Sequence, residues 1–97
     1  IALAIPEGYA GFVQPRSGLA VKSGITALNS PGLIDSGYRD EIKVILINHD
    51  PMETFVINKG DRIAQLVIQK YETVDWDIVT DLEDSERGTG GFGSTGV

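Results

Sequence analysis

Short apolar stretches, each interrupted by glycine, proline or charged residues, run along most of the chain. They lack the 3.6-residue repeat of an amphipathic helix, and several alternate apolar and polar positions as strands do. Residues 19–21 are compatible with one helical turn, which Gly24 would end. The pattern predicts strands over residues 1–5, 9–13, 24–28, 42–47, 54–57, 63–69 and 72–79. Many short strands separated by frequent turns indicate an all-β fold, a sandwich or a barrel.

Two predicted strands depart from simple alternation. Residues 42–47 are almost continuously apolar, which predicts that both faces of this strand are covered. In residues 9–13, Gly11 interrupts the strand and is expected to weaken it. Gln65 in turn interrupts the apolar run of residues 63–68, and a polar amide must find partners there if it is buried.

Composition excludes several classes of protein. The chain of 97 residues has no cysteine, so disulfides and thiolate metal sites are excluded. This fits a reducing compartment, and we expect a cytoplasmic protein. A net charge of −6 argues against a nucleic acid polymer as partner, although one small nucleotide needs only a few local cations. No apolar run approaches the roughly 18 residues of a membrane span, so we expect no membrane partner.

The chain divides into a β domain, residues 1–84, and a glycine-rich arm, residues 85–97. The arm is too poor in aliphatic side chains to join a core, so we expect it to be flexible when free. Residues 88–93 match G-x-G-x-x-G, but no strand leads into them and no helix can follow, which rules out a dinucleotide fingerprint. The arm is either a disordered tail or a phosphate-binding lid in which Phe92 stacks on a base.

Three other positions have both a structural and a functional interpretation. Arg16, Ser17 and Gly18 form an ordinary turn or a grip on phosphate, since a guanidinium, a hydroxyl and bare backbone N–H groups suit an anion. Asp35 is a turn-capping carboxylate or a general base. Tyr38 is a half-buried strand aromatic or a flat platform for a sugar. His49 has no partner in the sequence, and we predict a structural role for it.

Four blocks in this order resemble four of the five conserved motifs of the trimeric dUTPases, and the likeness spans nearly the whole chain. The blocks are PRSGLA at residues 15–20, NSPGLIDSGYRDEI at 29–42, KGDRIAQ at 59–65 and RGTGGFGSTG at 87–96. The resemblance implies a distorted jelly-roll-like β-barrel or sandwich, assembled as a homotrimer whose active sites are shared between chains. It also implies hydrolysis of dUTP to dUMP and pyrophosphate. The residues chosen within the blocks resemble those of bacterial members.

The resemblance also implies roles for individual residues. Asp35 would deprotonate the water that attacks the α-phosphorus, and Tyr38 would pack under the deoxyribose. The uracil edge would be read by Asn29 and by the backbone at Leu33, Ile34 and Asp35, with Lys43 alongside. Phosphates would be held by Arg16, Ser17, Gly18 and Gln65 from a neighbouring chain. The arm would close over the nucleotide through Arg87, Phe92, Gly93, Ser94 and Thr95, with Phe92 on the uracil. Mg²⁺ would be held mainly by phosphates and water, with no direct protein ligand in this chain.

The first family motif, an Asp-Ala-Gly-x-Asp-Leu type segment, is absent. It would lie upstream of Ile1, and we expect the sequence to be a fragment. Two alternatives stay open. The related dCTP deaminases share the fold, although their chemistry needs a glutamate beside the cytosine and the arm here matches the dUTPase lid. A non-catalytic nucleotide-binding or interaction module is the second.

Overall fold

The computed structural model describes residues 1–96, and its main sheet is organised around strand β1, Tyr9–Gln14. β1 pairs antiparallel on one side with β3, Gly32–Ile34, and on the other with β5, Gln65–Lys70. A second antiparallel sheet joins β2, Ile25–Ala27, to β4, Leu46–Asn48. The predicted all-β class is confirmed, whereas closure into a jelly-roll barrel stays a prediction.

The single helix among these elements is α1, Ser17–Ser23, which follows β1 directly. Gly24 ends it with a left-handed φ of 65°, and its N–H bonds back to the carbonyls of Ala20 and Leu19. A side chain at Gly24 would lie 3.2 Å from the backbone nitrogen of Asp50, and the His49 N–H donates to the Gly24 carbonyl at 2.9 Å. The end of α1 therefore packs against the turn after β4, and His49 takes part in this contact through its backbone.

The buried apolar side chains come from both sheets and from the first residues of the chain. Ile25 and Ala27 of β2 alternate with a more exposed neighbour, as in a strand with one covered face. Ala10 and Val13 of β1 are three residues apart and therefore lie on opposite faces of that strand, so both of its faces are partly covered. Ile5 is buried as well, and its Cδ1 would be 3.0 Å from a Cβ at Gly11. The Ile5 side chain therefore packs against β1 at Gly11.

Several predicted strands are wrong. Residues 1–5, 54–57 and 72–79 form no strand, and the strand predicted over residues 42–47 is limited to Leu46–Asn48. Burial in residues 42–45 alternates, so the second face is not covered as predicted. Residues 1–5 and 42–45 make isolated backbone bonds, such as Ile42 N–H to Ile1 O at 2.8 Å, without the ladder that defines a strand. Apolar composition predicted the strands, but a strand also needs a partner.

The chain exposes much more surface than a compact domain. Its accessible surface is 8458 Å², whereas a compact monomer of 10.4 kDa exposes about 5,400 Å². Its radius of gyration is 19.0 Å, against about 13 Å for a compact domain of this length. Large apolar side chains account for part of the excess, including Trp76 at 88% and Ile78 at 95% exposure. Among residues 1–96 there is no helix with the length and apolar character to cross a membrane.

Candidate active site

β3 brings Asp35 and its neighbours to the edge of the larger sheet. Gly32 faces Val13 of β1, and a Cβ at Gly32 would lie 3.3 Å from that of Val13 and 3.5 Å from the side-chain nitrogen of Asn29. The amide of Asn29 therefore lies over the start of β3, next to the backbone that the sequence predicts to read a base. Directly after Ile34 the chain turns, with the Tyr38 N–H donating to the Asp35 carbonyl at 3.1 Å.

The side chains of Asp35 and Tyr38 have different attachments. The Tyr38 hydroxyl donates to the Glu41 carbonyl at 2.8 Å, so the orientation of its ring is fixed from within the chain. Asp35 contributes its main-chain carbonyl to the turn, and within residues 1–96 its carboxylate accepts no hydrogen bond. The carboxylates of Asp50 and Asp61 do accept backbone N–H groups. The turn-capping interpretation therefore fits those residues, and the Asp35 carboxylate is available for other chemistry.

An open cavity of about 170 Å³ lies at this turn. Its lining consists of Leu33, Ile34, Asp35, Tyr38 and Lys43, all of which the sequence assigned to the site. Pockets that enclose a whole drug-sized ligand measure roughly 300–1,000 Å³, so this one can hold only part of a nucleotide. The single chain therefore supplies one portion of a site.

A second cavity, also bordered by β3, was not predicted from the sequence. It is lined by Ala10, Phe12, Leu33, Asp35 and Tyr71, so Asp35 and Leu33 border both cavities. Tyr71 follows β5, and its N–H donates to the Gly8 carbonyl at 3.0 Å. Phe12 and Leu33 are paired across β1 and β3, and this pairing is the feature that could have indicated the cavity. The sequence does not reveal it, because the register of the two strands must be known first.

The predicted phosphate grip lies where β1 passes into α1. Arg16 has an extended backbone, with φ −97° and ψ 127°, and makes no side-chain cap to the helix. A Cβ at Gly18 would meet no atom within 4 Å, so the chain leaves open space there. Gln65, at the start of β5, donates from its side-chain nitrogen to the Pro15 carbonyl at 3.0 Å. Gln65 is exposed in the described chain, and its amide holds the loop that carries Arg16.

The arm folds into a series of tight turns, in which backbone N–H groups reach carbonyls three residues earlier. The Nε of Arg87 donates to the Gly90 carbonyl at 2.7 Å, which leaves both terminal guanidinium nitrogens unused by this bond. Phe92 has a positive φ of 49° and a fully exposed ring. A broad depression here is lined by Ser85, Glu86, Arg87, Gly90, Ser94 and Thr95. Val97, the last residue of the predicted arm, lies outside the described residues.

The structure thus brings the predicted residues together in separate groups. The cavity at Asp35 and the depression in the arm share no lining residue, and neither includes Arg16, Ser17 or Gly18. Within residues 1–96, no three His, Asp or Glu side chains gather into a group that could hold a metal ion. Asp35 is the one carboxylate among the residues that line the cavity, and Lys43 lines it as well, a set that does not suit a dedicated Mg²⁺ site.

Comparisons with known proteins point to one family. A family model described as dUTPase matches residues 1–96. The deoxyuridine 5'-triphosphate nucleotidohydrolase of Thermobifida fusca is 57% identical over 96 residues, which are 99% of this chain and 54% of that protein. The protein of the same name from Rickettsia bellii is 60% identical over 97 residues, which are 100% of this chain and 64% of that protein. The chain thus spans between about half and two thirds of the length of these relatives.

Two solved structures are similar in fold. A mutant dUTPase of Staphylococcus bacteriophage 80alpha with dUpNHpp superposes with a TM-score of 0.80 at 32% identity, covering 99% of this chain and 72% of that chain. A mutant dUTPase from phage phi11 of S. aureus, described with a structural Mg(II) ion, gives 0.70 at 28% identity, covering 86% and 69%. The match over residues 1–96 and the identity to bacterial relatives establish that the chain belongs to the dUTPase family.

Proposed function

We propose that the protein hydrolyses dUTP to dUMP and pyrophosphate, and that the nucleoside binds at the cavity beside β3. The observation that carries the proposal is the lining of that cavity by Leu33, Ile34, Asp35, Tyr38 and Lys43, with the Asp35 carboxylate free of hydrogen bonds within residues 1–96. The reaction would limit uracil incorporation into DNA and supply dUMP.

In this proposal Asp35 is the general base. Its carboxylate takes a proton from a water molecule while the water oxygen bonds to the α-phosphorus. The bond from the α-phosphorus to the bridging oxygen breaks, and pyrophosphate leaves with the electron pair. The exposed position of Asp35 on the turn after β3 leaves room for both the water and the phosphate.

Recognition of the nucleoside is divided between Tyr38 and the start of β3. The bond of the Tyr38 hydroxyl to the Glu41 carbonyl holds the ring in one orientation. In the proposal its apolar face packs under the deoxyribose and would leave no room for a 2′-hydroxyl. Asn29 and the backbone of residues 33–35 read the uracil edge, alongside Lys43. A cytosine there would leave polar groups unpaired, which disfavours dCTP.

The triphosphate is held by groups that lie away from this cavity. Arg16, Ser17 and Gly18 bind it with the support of Gln65, whose bond to Pro15 fixes their loop. In the arm, the terminal nitrogens of Arg87 suit bidentate contact with phosphate. Gly93, Ser94 and Thr95 add donors, and the exposed Phe92 ring stacks on the uracil. Mg²⁺ would be held mainly by the phosphates of the substrate and by water, with no direct ligand from this chain, and would offset part of the negative charge.

The complete site requires further copies of the chain, in a homotrimer. The separate placement of the cavity, the grip and the arm supports this, because no single cavity described above contains all three. The large exposed apolar surface supports it too, since side chains such as Trp76 and Ile78 are usually covered by protein.

Replacing Asp35 by asparagine tests the proposal. Asp35→Asn keeps the shape but cannot accept the proton, so dUTP turnover should fall by about 10²- to 10⁴-fold while a non-hydrolysable dUTP analogue still binds. Asp40→Asn, the same change five residues later, should retain turnover. Pyrophosphate release from dUTP and ammonia release from dCTP are measured in parallel. Ammonia from dCTP would identify a deaminase, and analogue binding by the wild type without turnover would identify a binding module.

A further inference from the structure

Arg39, which the sequence did not assign to the site, holds the turn between the two central residues of the proposed nucleoside pocket. One of its terminal guanidinium nitrogens donates to the carbonyl of Ser36 and also to that of Tyr38, the latter at 3.1 Å. Both carbonyls belong to the turn that begins at Asp35. With the Tyr38 N–H bonded to the Asp35 carbonyl, three hydrogen bonds close this turn.

Apart from the bond of the Tyr38 hydroxyl to the Glu41 carbonyl, which orients the ring, little else within residues 1–96 restrains the turn. A Cβ at Gly37 would meet no atom within 4 Å, and Asp35 and Tyr38 are both exposed. Hydrogen bonds from a charged donor are roughly twice as strong as those between neutral groups. An arginine suits this task because its donors are arranged in a rigid planar fork. Fixing that fork costs less conformational entropy per hydrogen bond than fixing the flexible side chain of lysine.

We propose that Arg39 is a positioning residue for the hydrolysis of dUTP. Its guanidinium sets the distance and direction between the Asp35 carboxylate and the Tyr38 ring, and it acts through them without touching the substrate. Small displacements of a base from its reacting water are costly in rate, about 10²-fold for 1 Å. Binding of the nucleotide depends on many further groups and is affected much less. This inference rests on the function proposed above.

The test uses Arg39→Gln and Arg39→Lys, with Lys59→Gln as a control that removes the same charge from an exposed turn. Arg39→Gln should lower kcat for dUTP by about 10- to 100-fold with KM changed by less than about threefold. Arg39→Lys should recover part of kcat, and Lys59→Gln should behave as the wild type. A raised KM with unchanged kcat would show that Arg39 binds substrate instead, and unchanged values of both would overturn the proposal.

A second measurement separates this inference from the proposed function. Amide hydrogen exchange in residues 36–41 should be faster in Arg39→Gln than in the wild type, whether or not dUTP is hydrolysed, because the Tyr38 N–H loses the restraint on its turn. The unfolding midpoint and the oligomeric state should be unchanged. Equal exchange in the two proteins would overturn the role of Arg39. Absence of dUTP hydrolysis by the wild type would overturn the proposed function. The exchange result would then still decide whether Arg39 restrains the turn between Asp35 and Tyr38.

Discussion

Carboxylates of the same type serve different purposes along this chain, and their hydrogen bonds distinguish them. Asp35 and Asp50 both precede residues typical of turns, where an aspartate commonly caps backbone N–H groups. In the structure Asp50 accepts the N–H groups of Met52 and Glu53 at 2.9 and 3.0 Å, whereas Asp35 uses only its main chain. Sequence could thus give the candidate residue for catalysis, but the choice between cap and base depended on local backbone geometry.

Asp50 provides a prediction about pH. Its hydrogen bonds from Met52 N–H and then from Glu53 N–H lower the pKa of the Asp50 carboxyl below its usual value. A lowered pKa in the folded state stabilises the fold above the unfolded-state pKa of about 3.9, and this contribution is lost as the pH falls through the folded-state pKa. Asp50→Asn should therefore be less stable than the wild type near neutral pH, and the difference should shrink below about pH 4.

Urea denaturation at a series of pH values from neutral to acid measures this difference. The control is Asp77→Asn, which removes the same charge from an exposed position outside the turns described above. Its difference from the wild type should be small throughout. An Asp50→Asn difference that stays constant from neutral to acid pH would show that the ionised carboxylate contributes nothing to the turn.

At the level of elements, long alternating or continuous apolar runs predicted β1 and β5 well, and Gly24 marked the end of α1 correctly. Residues 54–57 and 72–79 carried comparable patterns and form no strand. The difference is the partner: β1 has neighbours on both sides, while those segments find no ladder within residues 1–96. Pairing is a property of the assembled sheet, and sequence patterning alone does not specify it.

Gly11, which the sequence predicted to weaken its strand, leaves space for close packing of neighbouring side chains. A Cβ there would lie 3.0 Å from Ile5 Cδ1 and 3.3 Å from both Ile34 Cβ and Leu66 Cδ1. Gly11→Ala should therefore lower the free energy of unfolding by about 1–3 kcal/mol through overpacking. Gly37→Ala adds the same methyl group in open space and should leave stability nearly unchanged. Denaturant unfolding compares the two, and equal stability of both variants would contradict this packing of Ile5 across β1.

At the scale of the whole molecule, the proposed activity depends on the sharing of one site between chains. The motif order in the sequence predicted which residues belong to the site, and in the structure five of them line one cavity: Leu33, Ile34, Asp35, Tyr38 and Lys43. Their roles in a site stay predictions. Sequence alone gave no view of the distances between the cavity, the grip and the arm. The radius of gyration of 19.0 Å and the exposed apolar side chains support the proposed trimer, because a large apolar surface is usually covered by protein.

Complementation between two inactive variants tests this account most directly. One chain carries Asp35→Asn, the other lacks residues 87–97, and differently tagged copies are co-expressed and purified through both tags. Each variant alone should form the trimer and lose turnover. In a cyclic trimer with arms closing on neighbouring sites, every mixed assembly contains one site with both an intact Asp35 and an arm, so about one third of wild-type dUTP turnover should return. Mixed trimers that remain as inactive as either parent would contradict the shared site.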